Sequence, residues 1–273
     1  MARMESHLLT TERQTQIRTL LAEEGRVLAA PLAKRFNVSE DTVRRDLRDL
    51  AQAGLCRRVY GGAVPVAPSD GSLSERRHLA PARKAALARA IAAEIAPGSL
   101  LFIDAGSTNL AVAEALAVDA GLTVVTNAPL IACALLERGG IETILIGGRI
   151  DAGTGACFGP KALADAERFR PDVLILGACG IDVGEGVTGN VFEECELKAA
   201  LASRSRRIFV AATNDKIGTA APYAVIATEK ISLLFVEADC DPAAMEAMAA
   251  RGVSLVRAAP DDARRQKPAG GKD

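Results

Sequence analysis

The stretch that most constrains this chain is residues 13–63, RQTQIRTLLAEEGRVLAAPLAKRFNVSEDTVRRDLRDLAQAGLCRRVYGGA. Its centre predicts two short helices joined by a tight turn at Asn37-Val38-Ser39. Ser39 stands where a helix N-cap would, and Glu40 and Asp41 fill the first turn, as the helix dipole favours. Val43, Leu47 and Leu50 recur at i, i+4 and i+7 and so share one apolar face. Leu28, Leu32 and Phe36 form a matching stripe before the turn. Arg44 and Arg48 fall together on the opposite face, with Arg45 beside them. This is the pattern of a helix-turn-helix whose second helix can lie in the DNA major groove.

The flanks extend the pattern. Ile17, Leu20 and Leu21 predict a first helix over residues 11–24 that covers the other two. Gly54 ends the arginine helix. Residues 57–64, RRVYGGAV, read as two short strands around a Gly-Gly turn. A basic hairpin after the recognition helix makes the unit a winged helix, with arginines placed for phosphate or a minor groove. The candidate DNA-facing residues are Ser39, Thr42, Arg44, Arg45, Arg48, Arg57, Arg58 and Tyr60. A plainer reading is also open. Asp41–Arg45 and Arg45–Asp49 are i,i+4 pairs, so Arg45 can belong to a solvated ion-pair ladder. Residues 1–65 hold 11 Lys+Arg against 8 Asp+Glu, a balance too small to argue for nucleic acid alone. The order of the elements carries that expectation.

Arg13-x3-Ile17, the run from Val38 through Leu47, Leu50, Gly54, Arg58 and Tyr60-Gly61-Gly62-Ala63 resemble the signature of the DeoR family of bacterial transcription regulators. The resemblance implies an N-terminal winged helix that binds double-stranded operator DNA. It also implies a larger C-terminal domain, similar in fold to ribose-5-phosphate isomerase, that senses a phosphorylated sugar. Most members of that family repress genes of sugar catabolism.

A length of 273 residues suits one large domain or two, and 49% apolar residues suffice for packed cores. No apolar run is long enough for a membrane span, and the N-terminus lacks a signal-peptide core, so a cytoplasmic protein is expected. Six scattered cysteines without a CxxC predict reduced, mostly buried thiols, and two histidines leave little for a metal site. The net charge is −1, so any DNA-facing basic surface must be local. Few aromatics and no Trp argue against a base-stacking single-strand binder.

Residues 1–10 read as a loose leader and 11–64 as the DNA-binding unit. The Pro/Ser/Gly-rich residues 65–74 read as a linker, and 75–96 as one long alanine-rich helix with a basic, solvated face. From residue 100 the pattern switches. Apolar runs at 100–104, 122–126, 143–147, 173–177, 207–211, 233–236 and 253–256 alternate with helical stretches at 108–117, 128–138, 160–169, 194–204 and 241–251. Alternation of this kind predicts a mostly parallel, Rossmann-like α/β domain over residues 75–259, covered on both faces. Residues 260–273, PDDARRQKPAGGKD, read as a disordered tail.

Every notable polar cluster of this half follows a predicted strand, where ligands of such sheets bind. Asp104-Ala105-Gly106-Ser107-Thr108-Asn109 opens a helix and can offer backbone N–H groups and hydroxyls to an anion; alternatively Ser107 or Thr108 only caps that helix. Thr126-Asn127, Gly147-Gly148-Arg149 and Gly180-Ile181-Asp182 extend the rim. Lys216 follows the strand at 207–211 and can act as a phosphate point charge. Glu194 and Lys198 are either site residues or an i,i+4 pair. The Gly-rich GEGVTGN at 184–190 fits no nucleotide fingerprint.

These same clusters continue the DeoR resemblance over residues 72–239. It implies that loop 106–109 holds the sugar phosphate and that Asp104, Asp182, Lys198 and Lys216 surround the sugar. Many members carry an acidic residue three before the motif lysine, where this chain has Thr213. The expectation is a two-domain, homo-oligomeric regulator without cofactor or metal, a repressor released by a phosphorylated sugar or polyol. The alternative is a phosphosugar isomerase-like or bifunctional enzyme. That would need a carboxylate base, with Asp182, Glu185 and Glu194 as candidates, though none sits in a motif that demands catalysis.

Overall fold

The computed structural model describes residues 9–68, 71–138 and 140–259. The tail at 260–273 and most of the leader lie outside them. The head begins with α1 (Thr10–Glu24), β1 (Val27–Leu28), α2 (Ala29–Phe36) and α3 (Glu40–Gln52), and closes with β2 (Arg57–Val59) and β3 (Gly62–Val64). The turn between α2 and α3 works because Asn37 takes the left-handed conformation at φ 52°, which Asn tolerates better than most residues. The Ser39 hydroxyl then accepts the Thr42 N–H at 3.1 Å, capping α3. Ile17, Leu20, Leu32, Phe36, Val43, Leu47 and Leu50 pack into one small core. Leu28 is not part of it. It sits in β1, paired with Gly62, and its side chain is exposed, so Ala29 and Ala33 supply the remaining apolar face of α2. The wing is therefore three strands in the order β1-β3-β2, one more than the sequence predicts.

Residues 65–74 do not run free. Ala67 donates its N–H to the Ala220 carbonyl at 3.2 Å, and Ala220 donates back to Pro65 at 3.3 Å. Leu73 opens α4 (Leu73–Arg76), is buried, and donates its N–H to the Gly153 carbonyl. The single helix expected over 75–96 is broken. Ala80 has φ 46°, and Pro81 starts α5 (Pro81–Ala93), since the residue before a proline is disfavoured in the helical region.

The second domain runs β4 (Leu100–Ile103), α6 (Ser107–Ala115), β5 (Thr123–Thr126), α7 (Pro129–Arg138), β6 (Glu142–Leu145), β7 (Arg149–Ile150), β8 (Cys157–Phe158), α8 (Pro160–Ala166) and β9 (Val173–Leu176). It continues with β10 (Gly180–Asp182), β11 (Gly186–Gly189), α9 (Phe192–Arg204), β12 (Arg207–Ala212), β13 (Tyr223–Ile226), β14 (Leu233–Val236), α10 (Pro242–Ala249) and β15 (Leu255–Arg257). The seven strands read from the sequence form one sheet, β15-β14-β12-β9-β4-β5-β6, and every neighbouring pair is parallel. The apolar runs of the five inner strands, β14, β12, β9, β4 and β5, are buried on both faces, as crossover helices require, while the edge strands β6 and β15 stay half-exposed. β10, β11 and β13 form a separate antiparallel sheet, and β7 pairs with β8 in a hairpin. The chain adds β5 and β6 on one side of β4, then β9, β12, β14 and β15 on the other. The order therefore reverses between β4 and β9, and that is where an α/β sheet opens a crevice. All six cysteines are free; four are buried, Cys179 is partly covered and Cys133 is exposed.

A buried ion pair cross-ties the head. Arg13 of α1 donates from Nε and Nη2 to the Asp46 carboxylate of α3, at 2.5 and 3.0 Å, and both side chains are buried. Removing one partner of a buried pair strands the other charge, at about 3–5 kcal/mol. Asp46→Ala should therefore raise hydrogen exchange of the Ile17 and Leu47 amides by several orders of magnitude while sparing the amides of β4 and β9. Unchanged protection at Ile17 would show that the pair contributes nothing.

Candidate functional site

The recognition surface follows from the capping of α3. With Val43, Leu47 and Leu50 buried, Arg44, Arg45 and Arg48 are left exposed on the far side. Arg44 pairs with Glu40 one turn earlier at 3.0 Å, both largely exposed, so the pair is weak and yields readily to a base or phosphate. Ser39 and Thr42 share a hydroxyl contact of 2.9 Å at the helix entrance. Tyr60 is 98% exposed at the tip of the wing, beside exposed Arg58. Arg57 departs from this group: its Nη2 donates to the Pro222 carbonyl of the second domain at 2.8 Å.

The second site is a cavity of about 160 Å³ at the switch between β4 and β9. The loop after β4 and the first turn of α6 supply Gly106, Ser107, Thr108 and Asn109, and the loop after β9 supplies Gly177, Ala178 and Cys179. α6 has no side-chain cap, so the first-turn N–H groups of Ser107 and Thr108 are left for an anion. Three cations line the same space: Lys198 of α9, Lys216 and Arg76 of α4. Lys216 donates to the Ala178 carbonyl at 3.0 Å, and Arg76 to Gly153 at 3.3 Å. Gly153 and Thr154 from the β7–β8 hairpin and Asn190 complete the polar wall.

Lys198 is the hub. Its ammonium lies 2.8 Å from Glu194, 3.2 Å from Asp104 and 3.1 Å from the Gly177 carbonyl, and all three side chains are almost fully buried. Burial works against the lysine charge, but Asp104 and Glu194 outweigh it and raise the ammonium above its ordinary range. Burial pushes the Asp104 carboxyl up to about 6; Lys198 opposes the rise and Glu194 adds to it. One Asp104 oxygen accepts the Gly177 N–H at 2.9 Å, while the other, Oδ1, is buried without a partner among the described residues. Gly177 has no room for a side chain, because a Cβ would meet the Ala105 carbonyl at 2.7 Å.

The cavity gathers Gly106, Ser107, Thr108, Asn109, Lys198 and Lys216 from the sequence candidates, with Asp104 behind Lys198. The others face elsewhere. Thr126 donates to the Ile103 carbonyl and accepts the Ala128 N–H, turning the chain into α7. The Asn127 amide donates to the Cys157 carbonyl. Gly148 is a packing glycine against Phe158 and Ala162. Arg149 lies on the surface, paired with Glu193 at 2.6 Å over the Phe158 ring. Gly180 is pressed against Thr219. Asp182 turns towards the head, 3.2 Å from Arg26. Sequence reading missed Arg76, Gly153, Thr154 and Asn190, since each enters by a fold-back that no local pattern encodes. Among the described residues no group of three His, Cys, Asp or Glu side chains is arranged to hold a metal, and no helix is long and apolar enough to cross a membrane.

Comparison with known proteins follows the same division. The DeoR-like helix-turn-helix domain matches residues 13–68, and the DeoR C terminal sensor domain matches residues 80–238. The glycerol-3-phosphate regulon repressor of Escherichia coli (strain K12) is 34% identical over 209 residues, covering 76% of this chain and 83% of that protein. The putative aga operon transcriptional repressor of Escherichia coli O157:H7 is 28% identical over 251 residues, 90% of this chain and 93% of that protein. Among solved structures, ribose 5 phosphate isomerase A from Neisseria gonorrhoeae aligns over 49% of this chain and 52% of its own, at 16% identity and a TM-score of 0.36. With an arginine-faced winged helix, a parallel α/β domain behind it and relatives matched along nearly their whole length, the chain belongs to the DeoR family of DNA-binding transcription regulators.

Proposed function

We propose that the protein is a cytoplasmic repressor of a carbohydrate or polyol catabolism operon, and that a small phosphorylated sugar or polyol in the β4–β9 cavity releases it from its operator. The observation that carries the effector half is that Lys216 and Arg76 line one cavity with the uncapped N-terminus of α6, beside a Lys198 already paired with Asp104 and Glu194. A phosphate monoester is the ligand such a place favours, because backbone N–H groups, helix dipole and ammonium charges add together. A cavity of about 160 Å³ suits a small ligand, such as a phosphate with a short hydroxylated chain. The exposed arginines of α3 support the operator half, and two copies would read two half-sites one helical turn apart.

One observation favours a second reading. A buried carboxyl raised to about 6 beside a lysine resembles a catalytic base. Asp104, however, is already committed to Lys198 and to the Gly177 N–H. The purified protein is expected to leave aldose and ketose phosphates unconverted. Turnover that vanishes in Asp104→Asn would make it an enzyme with Asp104 as its base.

Two further outcomes test the main reading. Operator obtained by selection from random duplexes should lose about 1–3 kcal/mol of affinity in Arg44→Ala and relax at one or two base positions. Equal loss on random DNA would remove Arg44 from base readout. Thr108→Val keeps the side-chain shape and removes a hydroxyl, at about 1–3 kcal/mol for a ligand oxygen left unpaired. The variant should bind operator normally and need roughly tenfold more effector for release. Release at the wild-type concentration would make Thr108 a structural residue.

The raised Asp104 carboxyl gives a pH test. An anion placed near it disfavours ionisation further, so binding takes up a proton and weakens as pH rises through about 6. Inorganic sulfate, whose charge stays constant in this range, should bind more weakly at pH 7.5 than at pH 5.5. Affinity independent of pH would separate Asp104 from the ligand.

A further inference from the structure

The Gly-rich turn after β10 takes no part in the cavity, yet it carries a contact to the head. Oδ1 of Asp182 accepts the backbone N–H groups of Gly184 at 2.9 Å and Glu185 at 3.1 Å, and it also takes Nη2 of Arg26 at 3.2 Å. Arg26 stands in the turn between α1 and β1 of the winged helix. Its guanidinium lies over Gly184, where a Cβ would come within 2.9 Å of Nη2. The Asp182 side chain is 3% exposed and that of Arg26 31%. A fixed, buried carboxylate in one domain thus holds a half-covered arginine from the other.

The same backbone strip reaches the cavity. β10 is joined at Ile181 to Ile217, and Gly218 donates its N–H to the Ile181 carbonyl at 2.8 Å. Lys216, next to Ile217, lines the cavity and donates to the Ala178 carbonyl at the other end of the strip. Residues 178–182 are therefore touched at one end by a cavity lysine and at the other by the head.

We propose that the Arg26–Asp182–Gly184 contact is the clasp through which occupancy of the cavity reaches the winged helix. An anion that draws the Lys216 ammonium from the Ala178 carbonyl removes a tether on the strip, shifts β10 and opens the clasp. The proposal rests on the reading of the cavity as an anion site. Its energetics suit a switch: the pair is open to solvent on the Arg26 side, and the buried Asp182 carboxylate keeps the Gly184 and Glu185 N–H donors when Arg26 leaves, so opening costs less than for a fully buried pair. The Pro65–Ala220 and Ala67–Ala220 backbone bonds bind the connecting chain independently of it. Linkage fixes the sign of every coupled effect: whatever the anion opens, opening must in turn favour the anion.

The test uses the full chain with inorganic phosphate as the probe, in wild type, Arg26→Gln and Gly184→Ala. Hydrogen exchange of the amides at residues 22–28 reads the clasp, and calorimetry reads phosphate affinity. Gly184→Ala keeps every charge and only displaces the guanidinium, so it controls for the loss of Arg26. Both variants should speed exchange at 22–28 by roughly two- to fivefold and tighten phosphate binding by a similar factor. Phosphate should speed the same amides in wild type and have little further effect in the variants. Phosphate binding with unchanged exchange at 22–28 overturns the coupling alone. Weaker phosphate binding in Arg26→Gln also overturns it, by making the pair part of the anion site. No phosphate binding in wild type overturns the anion reading and the clasp's role together.

Discussion

Lys198 is the fixed point from which the second domain is organised. It is buried with two carboxylates and a carbonyl, and every one of those partners comes from a different place: Asp104 from the end of β4, Gly177 from the end of β9, Glu194 from one turn back on α9. A buried ammonium is tolerable only when its hydrogen bonds are all answered, so the cluster fixes how far apart these ends stand. The crevice of a parallel sheet at its switch point is generic. Its depth and polarity here are set by this lysine. The same requirement explains Gly177, whose missing side chain lets Asp104 and the Ala105 carbonyl close in.

The two domains are less separate than a regulator's division of labour suggests. The segment between them is hydrogen-bonded along the second domain at Ala220 and again at Gly153, and α4 then contributes Arg76 to the cavity. One stretch of chain therefore both leaves the winged helix and forms a wall of the ligand site. Coupling between such sites needs an element with two arrangements that both sites bias. Here the connecting chain, β10 and the Pro222 segment before β13 are elements that both domains touch.

Much of this was legible in the sequence, for physical reasons. A strand buried on both faces must be apolar throughout, so residues 100–103, 173–176 and 233–236 announced themselves. The Ser39 cap and the arginines of α3 were equally plain, because helix capping and amphipathicity are local. The antiparallel β10-β11-β13 sheet was not legible. Its strands, GID and GVTG, lack alternation; GID pairs with GVTG in a local hairpin, and GVTG pairs in turn with Tyr223–Ile226, some 35 residues away. Leu28 looked like core by spacing but was claimed by a strand. Asp182 looked like a ligand residue by its place after β9; its partner, Arg26, lies 156 residues earlier. The identity of a charged group's partner is a property of the fold, and the cavity's Arg76 was hidden for the same reason.

The position of Arg57 has a consequence for how DNA binding should depend on salt. Each phosphate neutralised by an arginine releases condensed counterions, and the slope of log affinity against log salt counts those contacts. While Arg57 holds the Pro222 carbonyl through Nη2, its guanidinium keeps its charge and its other N–H donors, but the side chain is anchored to the second domain and is not free to follow a phosphate. The docked head therefore offers the duplex one arginine of restricted reach. The counterion slope is thus a gauge of docking: shallower by about one unit when the wing is held against the second domain, steeper when it is let go.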